Sequence, residues 1–148
     1  LFDSFEGLSM PGDNDELIND VFNLGDIKNY EGKMAFSVNH LINNLKRVDH
    51  DLTRIKIIPG FIEETIDKIP DQVCFAYVDF DFYDPIRIVL HELKDKLVPG
   101  GIIIIDDYNY FSSGAKLAVD EFTELNTKYS LQIPDTKYGY FAIIERLK

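Results

Sequence analysis

The chain has 148 residues, of which 45% are hydrophobic and 13% aromatic, and its formal net charge is -11 at pH 7. This length suits one globular domain with a real core, so we treat residues 1–148 as a single domain and exclude a disordered chain. The acidic charge argues against a nucleic-acid partner and against docking on anionic membranes, because both need clustered Lys and Arg. No apolar run approaches the ~18 residues of a membrane span, and without a visible signal peptide a cytoplasmic location is the default expectation.

The N-terminal third predicts few regular elements. Leu1-Phe2 reads as the end of a strand, and the polar segment Ser9–Lys33 reads as a surface excursion. Apolar residues at helical spacing predict a short helix within it at Asp15–Leu24. A second helix is predicted at Ser37–Leu45, with Ser37 as its N-cap and one face of a sheet beneath it.

The central part predicts a strand-helix-strand unit. Before this unit come a strand at Ile55–Ile58 and a short helix near Glu63–Lys68. The unit itself begins with the apolar run at Cys74, a residue that we expect to be small, buried and part of the core. The residues at Pro85–Leu97 have helical periodicity, and a run of four isoleucines follows Gly101. Such crossovers join parallel strands with a right-handed connection in nearly all cases.

The C-terminal part predicts one more helix and a hairpin. The helix begins near Ala115, and two strands follow at Leu131–Pro134 and Tyr140–Glu145. The whole order of elements predicts an α/β fold of the Rossmann-like type, doubly wound, with a mostly parallel sheet and an antiparallel C-terminal hairpin.

Two of the predicted strands end in acidic pairs. Asp79 and Asp81 follow the first strand of the crossover, and Asp106 and Asp107 follow the second. Ligands bind beyond the carboxyl ends of the strands in open α/β sheets, so we expect these side chains to meet at one functional edge. Four carboxylates there would repel one another strongly, and a divalent metal ion is the natural counter-charge.

An ordered set of motifs resembles one enzyme family along nearly the whole chain. The motifs are Asp3-Ser4-Phe5-Glu6-Gly7-Leu8, Gly60-Phe61 with Thr65, Val78-Asp79-Phe80-Asp81-Phe82-Tyr83-Asp84, Pro99-Gly100-Gly101, Asp106-Asp107-Tyr108 and Ala118-Val119-Asp120-Glu121-Phe122. Together they resemble the macrocin-type O-methyltransferases that act on sugars of macrolides and related natural products. The resemblance implies a class I methyltransferase sheet, S-adenosylmethionine and Mg²⁺ as cofactors, and a small-molecule hydroxyl as the methyl acceptor.

The resemblance also implies roles for particular residues. It assigns the metal to Asp79, Asp106 and Asp107. It assigns the cofactor to Asp3, Ser4, Gly60, Phe61 and Asp79. We take Asp79 and Asp81 as the catalytic residues, and the choice of Asp81 as the candidate base that takes the hydroxyl proton is ours and not part of the resemblance.

Two departures accompany this resemblance. Phe82 stands where related catechol-type enzymes have a lysine, which makes catechol-like acceptors less suitable. No glycine-rich cofactor loop precedes Leu1, so the chain reads as a methyltransferase domain that lacks its first strand-helix unit. We therefore expect it to bind S-adenosylmethionine weakly or not at all in isolation.

Two other classes of function remain open at this stage. The first is a non-catalytic Rossmann-like module for binding or dimerisation, with the acidic edge as a simple metal site. The second is a metal-dependent phosphotransferase or hydrolase, although no P-loop lysine motif supports it. The sequence names neither the acceptor nor the oligomeric state, and homo-oligomers stay open.

Overall fold

The computed structural model describes all 148 residues and contains six strands and four α-helices. The strands are β1 (Phe2–Asp3), β2 (Ile58–Pro59), β3 (Val73–Val78), β4 (Leu97–Ile105), β5 (Tyr129–Gln132) and β6 (Ala142–Arg146). The helices are α1 (Val38–Arg47), α2 (Ile62–Thr65), α3 (Tyr83–Lys96) and α4 (Ser113–Leu125). None of these helices is long and apolar enough to cross a membrane.

The main sheet has four strands in the order β3-β4-β6-β5. β3 and β4 run parallel, with Val78 opposite Ile105, whereas β6 is antiparallel to both β4 and β5. The parallel crossover and the antiparallel C-terminal hairpin predicted from the sequence are thereby confirmed. β1 and β2 form a separate parallel pair of only two residues each, so the strand predicted at Ile55–Ile58 is much shorter and begins at Ile58.

The core lies between one face of the main sheet and the helices α3 and α4. Ile86, Val89, Leu90 and Leu93 are all buried on α3, as the helical periodicity predicted. Alternate residues of β4, including Ile103, face the same cluster. Because a strand alternates its side chains, the neighbouring residues of β4 point to the opposite face of the sheet.

That opposite face has no helix on it. Phe75 and Tyr77 of β3 are 55% and 56% exposed. The helix predicted to cover a sheet face does form, and Ser37 caps it by accepting a hydrogen bond from the His40 N–H at 3.2 Å. However, no residue of α1 is buried. The predicted packing of α1 on the sheet, and the doubly wound arrangement, are therefore wrong for this chain.

Cys74 is exposed rather than buried, which corrects the sequence-based expectation. It lies in the edge strand β3, at the register irregularity between Val73 and Phe75. An apolar cavity of about 500 Å³ is lined by the whole of β3, by Leu1 and by Phe2 of β1. The apolar pattern around Cys74 therefore belongs to a strand whose outer edge has no hydrogen-bonded strand beside it.

The segment Ser9–Lys33 contains no α-helix, so the helix predicted at Asp15–Leu24 is wrong. The carboxylate of Asp20 accepts hydrogen bonds from the N–H groups of Leu24 and Gly25 and from the Tyr30 hydroxyl at 2.6 to 2.8 Å. These local bonds replace helical i to i−4 bonds, as Asp side chains commonly do in turns. Tyr30 is fully buried and packs against Phe111, so the segment is anchored by a small core of its own.

Candidate functional site

A cavity of about 440 Å³ opens at the carboxyl ends of β1, β3 and β4. Its wall contains every acidic residue that the sequence assigned to the strand ends. These residues are Asp3, Asp79, Asp81, Asp106 and Asp107. The structure therefore brings together carboxylates that lie up to about a hundred residues apart in the chain, because parallel strands end at the same edge of a sheet.

The two acidic turns are held side by side by the sheet. The Asp106 N–H donates to the Val78 carbonyl at 2.9 Å, which continues the pairing of β3 and β4 past their last residues. Beyond this bond both chains turn sharply, and Asp81 and Asp107 have φ angles of +63° and +49°. Asp is one of the few residues with a side chain that tolerates this left-handed region.

Burial, and then the charges of neighbouring carboxylates, perturb these carboxyl groups. Burial, followed by the charges of Asp79 and Asp107, raises the pKa of Asp81 to about 7. Burial, followed by the charges of Asp106 and Asp79, raises the pKa of Asp107 to about 6.

Asp79 lies at the open side of the cavity, where solvent still reaches it. Desolvation by the surrounding wall raises its pKa, and the charges of Asp106 and Asp3 act in the same direction. Asp106 faces another partner, since the Tyr77 hydroxyl donates a hydrogen bond to its Oδ2 at 2.6 Å. This bond raises the pKa of Tyr77 and turns one oxygen of Asp106 towards β3.

The N-terminal strand contributes the opposite rim of the cavity. Asp3 accepts a hydrogen bond from the Phe5 N–H at 2.7 Å, and Ser4 donates to the Gly7 carbonyl at 2.9 Å. Both residues line the cavity, as does Phe61. Gly60 does not line it; its φ of +124° makes the turn from β2 into α2 that brings Phe61 to the wall.

Sequence reasoning missed part of the wall and misassigned another part. Met34 and Phe36 line the cavity, although no motif or periodicity marked them, and so does Glu63, which was predicted only as the start of a short helix. The aromatic segment Tyr108–Gly114, which the sequence makes a candidate for selecting the acceptor because it follows the second acidic pair, does not line the cavity. Instead, Tyr110 stacks on Tyr140 with ring centroids 4.2 Å apart, and Phe111 is buried in the small core with Tyr30.

The side chains fit a divalent cation in chemistry but are not gathered around one point. Carboxylate oxygens are the hard ligands that Mg²⁺ and Ca²⁺ prefer. Burial first, and the charges of neighbouring carboxylates second, raise the pKa values of Asp79, Asp81 and Asp107, and a bound cation would offset both effects. No group of three acidic, histidine or cysteine side chains converges closely enough to hold an ion in the present arrangement. The assignment of Asp79, Asp106 and Asp107 as metal ligands thus stays a prediction.

The same fold occurs in solved methyltransferase structures. The O-methyltransferase NovP superimposes with a TM-score of 0.78 and 23% sequence identity, over 99% of this chain and 59% of that protein. The calicheamicin methyltransferase CalS11 superimposes with a TM-score of 0.69 and 22% identity, over 97% of this chain and 58% of that protein. These matches support the predicted α/β methyltransferase fold.

Two curated relatives, both from Streptomyces, are also similar in sequence. One, from Streptomyces olivaceus, is named 8-demethyl-8-(2,3-dimethoxy-alpha-L-rhamnosyl)-tetracenomycin-C 4'-O-methyltransferase and is 27% identical over 107 residues, 72% of this chain and 40% of the relative. Another, from Streptomyces niveus, is named demethyldecarbamoylnovobiocin O-methyltransferase and is 29% identical over 90 residues, 60% of this chain and 34% of the relative. The chain therefore spans less than half the length of either relative.

The sequence also matches a protein family as a whole, over residues 1–140. That range includes both acidic turns, both strands of the N-terminal pair and the small core that anchors the excursion. It ends before β6, whose first residue is Ala142. With a match over almost its entire length, the chain belongs to the macrocin-O-methyltransferase (TylF) family.

Proposed function

We propose that the protein to which this chain belongs is an S-adenosylmethionine-dependent O-methyltransferase that methylates a hydroxyl group of a sugar or related natural product. The observation that carries the proposal is the single cavity at which five strand-end carboxylates meet. Membership of the macrocin-O-methyltransferase family supports the reaction type. The names of the two curated relatives support a natural-product acceptor and do not favour a non-catalytic module or a phosphotransferase.

Asp81 is the proposed general base. A sugar hydroxyl is a weak nucleophile, and it becomes a better one when a base accepts its proton as the new bond forms. With its pKa raised to about 7, the Asp81 carboxyl is poised to gain and lose a proton near neutral pH. S-adenosylmethionine, when bound, would supply the methyl group, and its sulfur would keep the electron pair of the broken S–C bond. Asp81 would accept the hydroxyl proton as the acceptor oxygen bonds to the methyl carbon.

Asp79, Asp106 and Asp107 are proposed to hold Mg²⁺ at the same edge. A bound cation would supply charge that orients the acceptor oxygens and lowers the pKa of the hydroxyl. The three carboxylates would neutralise the charge of the ion and keep its position fixed relative to Asp81. Asp106 could offer its Oδ1 to the ion, because the Tyr77 hydroxyl bonds to Oδ2.

The rim formed by Asp3, Ser4 and Phe61 is the proposed contact for the cofactor. A carboxylate that follows a strand can accept hydrogen bonds from ribose hydroxyls, and an aromatic ring can stack on a base. Both kinds of group line the cavity here. Positioning of donor and acceptor in line is then the main contribution of the cavity to the rate.

The test is a calorimetric titration of the folded chain with Mg²⁺ and with Mn²⁺. The variant Asp106→Asn/Asp107→Asn removes two cavity charges, and Asn keeps the left-handed turn at position 107 accessible. The matched control Asp67→Asn/Asp71→Asn removes two exposed charges outside the cavity. We expect cation binding by the wild type and the control and loss of it in the cavity variant, with circular dichroism confirming that all three are folded.

Methyl transfer is the second readout. We expect a protein that carries this domain to transfer a labelled methyl group from S-adenosylmethionine to a demethylated sugar natural product, and we expect Asp81→Asn to abolish transfer. An active Asp81→Asn enzyme would remove Asp81 as the base. A folded wild type without cation affinity and without transfer would contradict the proposal as a whole.

A further inference from the structure

The backbone at Asp81 forms an unusual turn. The Phe82 N–H donates to the Phe80 carbonyl at 2.6 Å, and the residue between them has a φ of +63°. A three-residue turn with a positive central φ is the rare and strained form of the γ-turn. Strain of this kind persists only where surrounding contacts hold it, and it clusters at functional sites.

One buried hydroxyl group contacts this turn from a distant part of the chain. The Oγ of Ser112 donates a hydrogen bond to the Asp81 carbonyl at 2.5 Å. Ser112 is fully buried, and its Oγ also accepts a hydrogen bond from the Gly114 N–H at 3.2 Å as the N-cap of α4. A single oxygen therefore starts a helix and holds the carbonyl of the strained residue.

The surroundings leave the turn little freedom once this bond is made. The next ring, Phe82, is fully buried and packs against Phe111, directly before Ser112. The N–H of Tyr83, the first residue of α3, donates to Asp15 Oδ1 at 2.8 Å. The carboxyl of Asp81 is thus aimed at the cavity by a backbone that is fixed on both sides.

We infer that Ser112 is a positioning residue for Asp81: its hydroxyl holds the strained turn that presents the Asp81 carboxyl to the other carboxylates of the cavity. The effect of Ser112 on the reaction rests on the proposed function, since a displaced Asp81 would no longer be placed to accept the hydroxyl proton. The inference goes beyond that function because Ser112 does not line the cavity and contacts no group that would react.

Variants can separate this role from helix capping. Ser112→Gly removes the hydroxyl, and glycine replaces serine as an N-cap at little cost. Ser112→Thr restores a hydroxyl donor at the same position. Ser113→Ala is the matched control, because the Ser113 Oγ makes two hydrogen bonds of its own, to Asn14 O at 2.9 Å and from Glu16 N at 2.8 Å, and neither involves Asp81.

The first readout is amide hydrogen exchange at Phe82, measured by nuclear magnetic resonance without any metal. We expect exchange to become about tenfold faster or more in Ser112→Gly, because the turn opens more often. Ser113→Ala should leave this amide unchanged, and Ser112→Thr should restore its protection. Equal Phe82 exchange in the wild type and Ser112→Gly would overturn the inference, whether or not the chain binds a cation.

The second readout is methyl transfer by a protein that carries this domain, alongside thermal unfolding of each variant. Asp81 is the proposed base, so its displacement should lower the rate of transfer, and a positioned base contributes about 10²- to 10⁴-fold to such a rate. We expect transfer to fall by about tenfold or more in Ser112→Gly and to change within about twofold in Ser113→Ala, even if both lose similar thermal stability. A wild type that transfers no methyl group would contradict the proposed function, whereas transfer that is unchanged in Ser112→Gly would contradict the role of Ser112.

Discussion

The N-terminal region, residues 1–72, and the C-terminal region, residues 73–148, use their apolar residues in different ways. All but two of the 17 residues in the main core belong to the C-terminal region, the exceptions being Ile62 and Ile69. In the N-terminal region α1 forms with a good cap and a clear apolar stripe, yet none of its residues is buried. Periodicity therefore predicts that an element forms, but burial also needs a partner surface within the chain.

The candidate site lies where the two regions meet. Asp79, Asp81, Asp106 and Asp107 come from the C-terminal region, and Asp3, Ser4 and Phe61 come from the N-terminal region. The acidic side is built on long paired strands, whereas the opposite rim is carried by a pair of strands of only two residues each. The difference suggests a rigid acidic wall facing a rim with much less packing behind it.

The largest effect that would test this contrast is the loss of a core side chain. Ile103 is fully buried in β4, and Ile103→Ala should lower the free energy of unfolding by about 2 to 5 kcal/mol, because it removes buried methyl groups and leaves a cavity. Leu45→Ala in α1 removes a side chain that is not buried and should cost less than about 1 kcal/mol. Urea denaturation followed by circular dichroism measures both.

The two variants should also agree in one respect. Neither residue lines the acidic cavity, so cation affinity should change little in whichever variant remains folded. A cost for Leu45→Ala that equals the cost for Ile103→Ala would mean that α1 is packed in solution, and the contrast between the regions would disappear.

Most elements of the C-terminal region could be predicted from the sequence. Their apolar patterns are local, and the surfaces against which they pack lie within the chain. The stripe of α3 and the apolar run of β4 are both buried as predicted. The meeting of the acidic pairs follows from the same elements, since parallel strands end at one edge. The N-terminal excursion could not be predicted in this way, because Asp20 and the distant residue Phe111 take the hydrogen bonds that a helix would have used.

The fine structure of the site was also beyond sequence reasoning. The hydrogen bond from Ser112 to Asp81 joins residues 31 positions apart and involves a backbone carbonyl, which carries no sequence signal. Met34 and Phe36 reach the cavity from a loop without periodicity. Contacts of this kind depend on how elements pack, so they become visible only in three dimensions.

The next effect concerns charge in the acidic wall. The folded-state pKa of Asp81 is about 7 against an ordinary value of 3.8, so the folded protein binds this proton more tightly than the unfolded chain. The resulting stabilisation is complete at low pH and is lost as pH rises from about 4 to about 7. The side chain of Asn does not ionise, so Asp81→Asn does not become less stable over this pH range. Above about pH 7 the variant should therefore be more stable than the wild type by on the order of 1 to 3 kcal/mol.

The comparison with an exposed carboxylate makes this test specific. Asp13→Asn, in the N-terminal excursion, also removes one negative charge, but Asp13 is exposed and lies outside the cavity. Unfolding in urea at a series of pH values should show a stability difference that grows with pH for Asp81→Asn and stays nearly constant for Asp13→Asn. A stability difference that does not change with pH for either variant would show that Asp81 is not buried among like charges as the structure indicates.

The smallest effect concerns Cys74, which belongs to the well-packed C-terminal region but is exposed like the residues of α1 in the N-terminal region. It belongs to a strand of the main sheet, but to the outer edge of it, where the side chain is exposed. Cys74→Ser should therefore change the free energy of unfolding by less than about 0.5 kcal/mol, as expected for a surface substitution. The native thiol should react with a disulfide reagent at nearly the rate seen in denaturant, which provides the reference for full exposure. A protected thiol together with a large cost for Cys74→Ser would mean that the outer side of β3 is covered in solution, and the uncovered part of the molecule would then be limited to the N-terminal region.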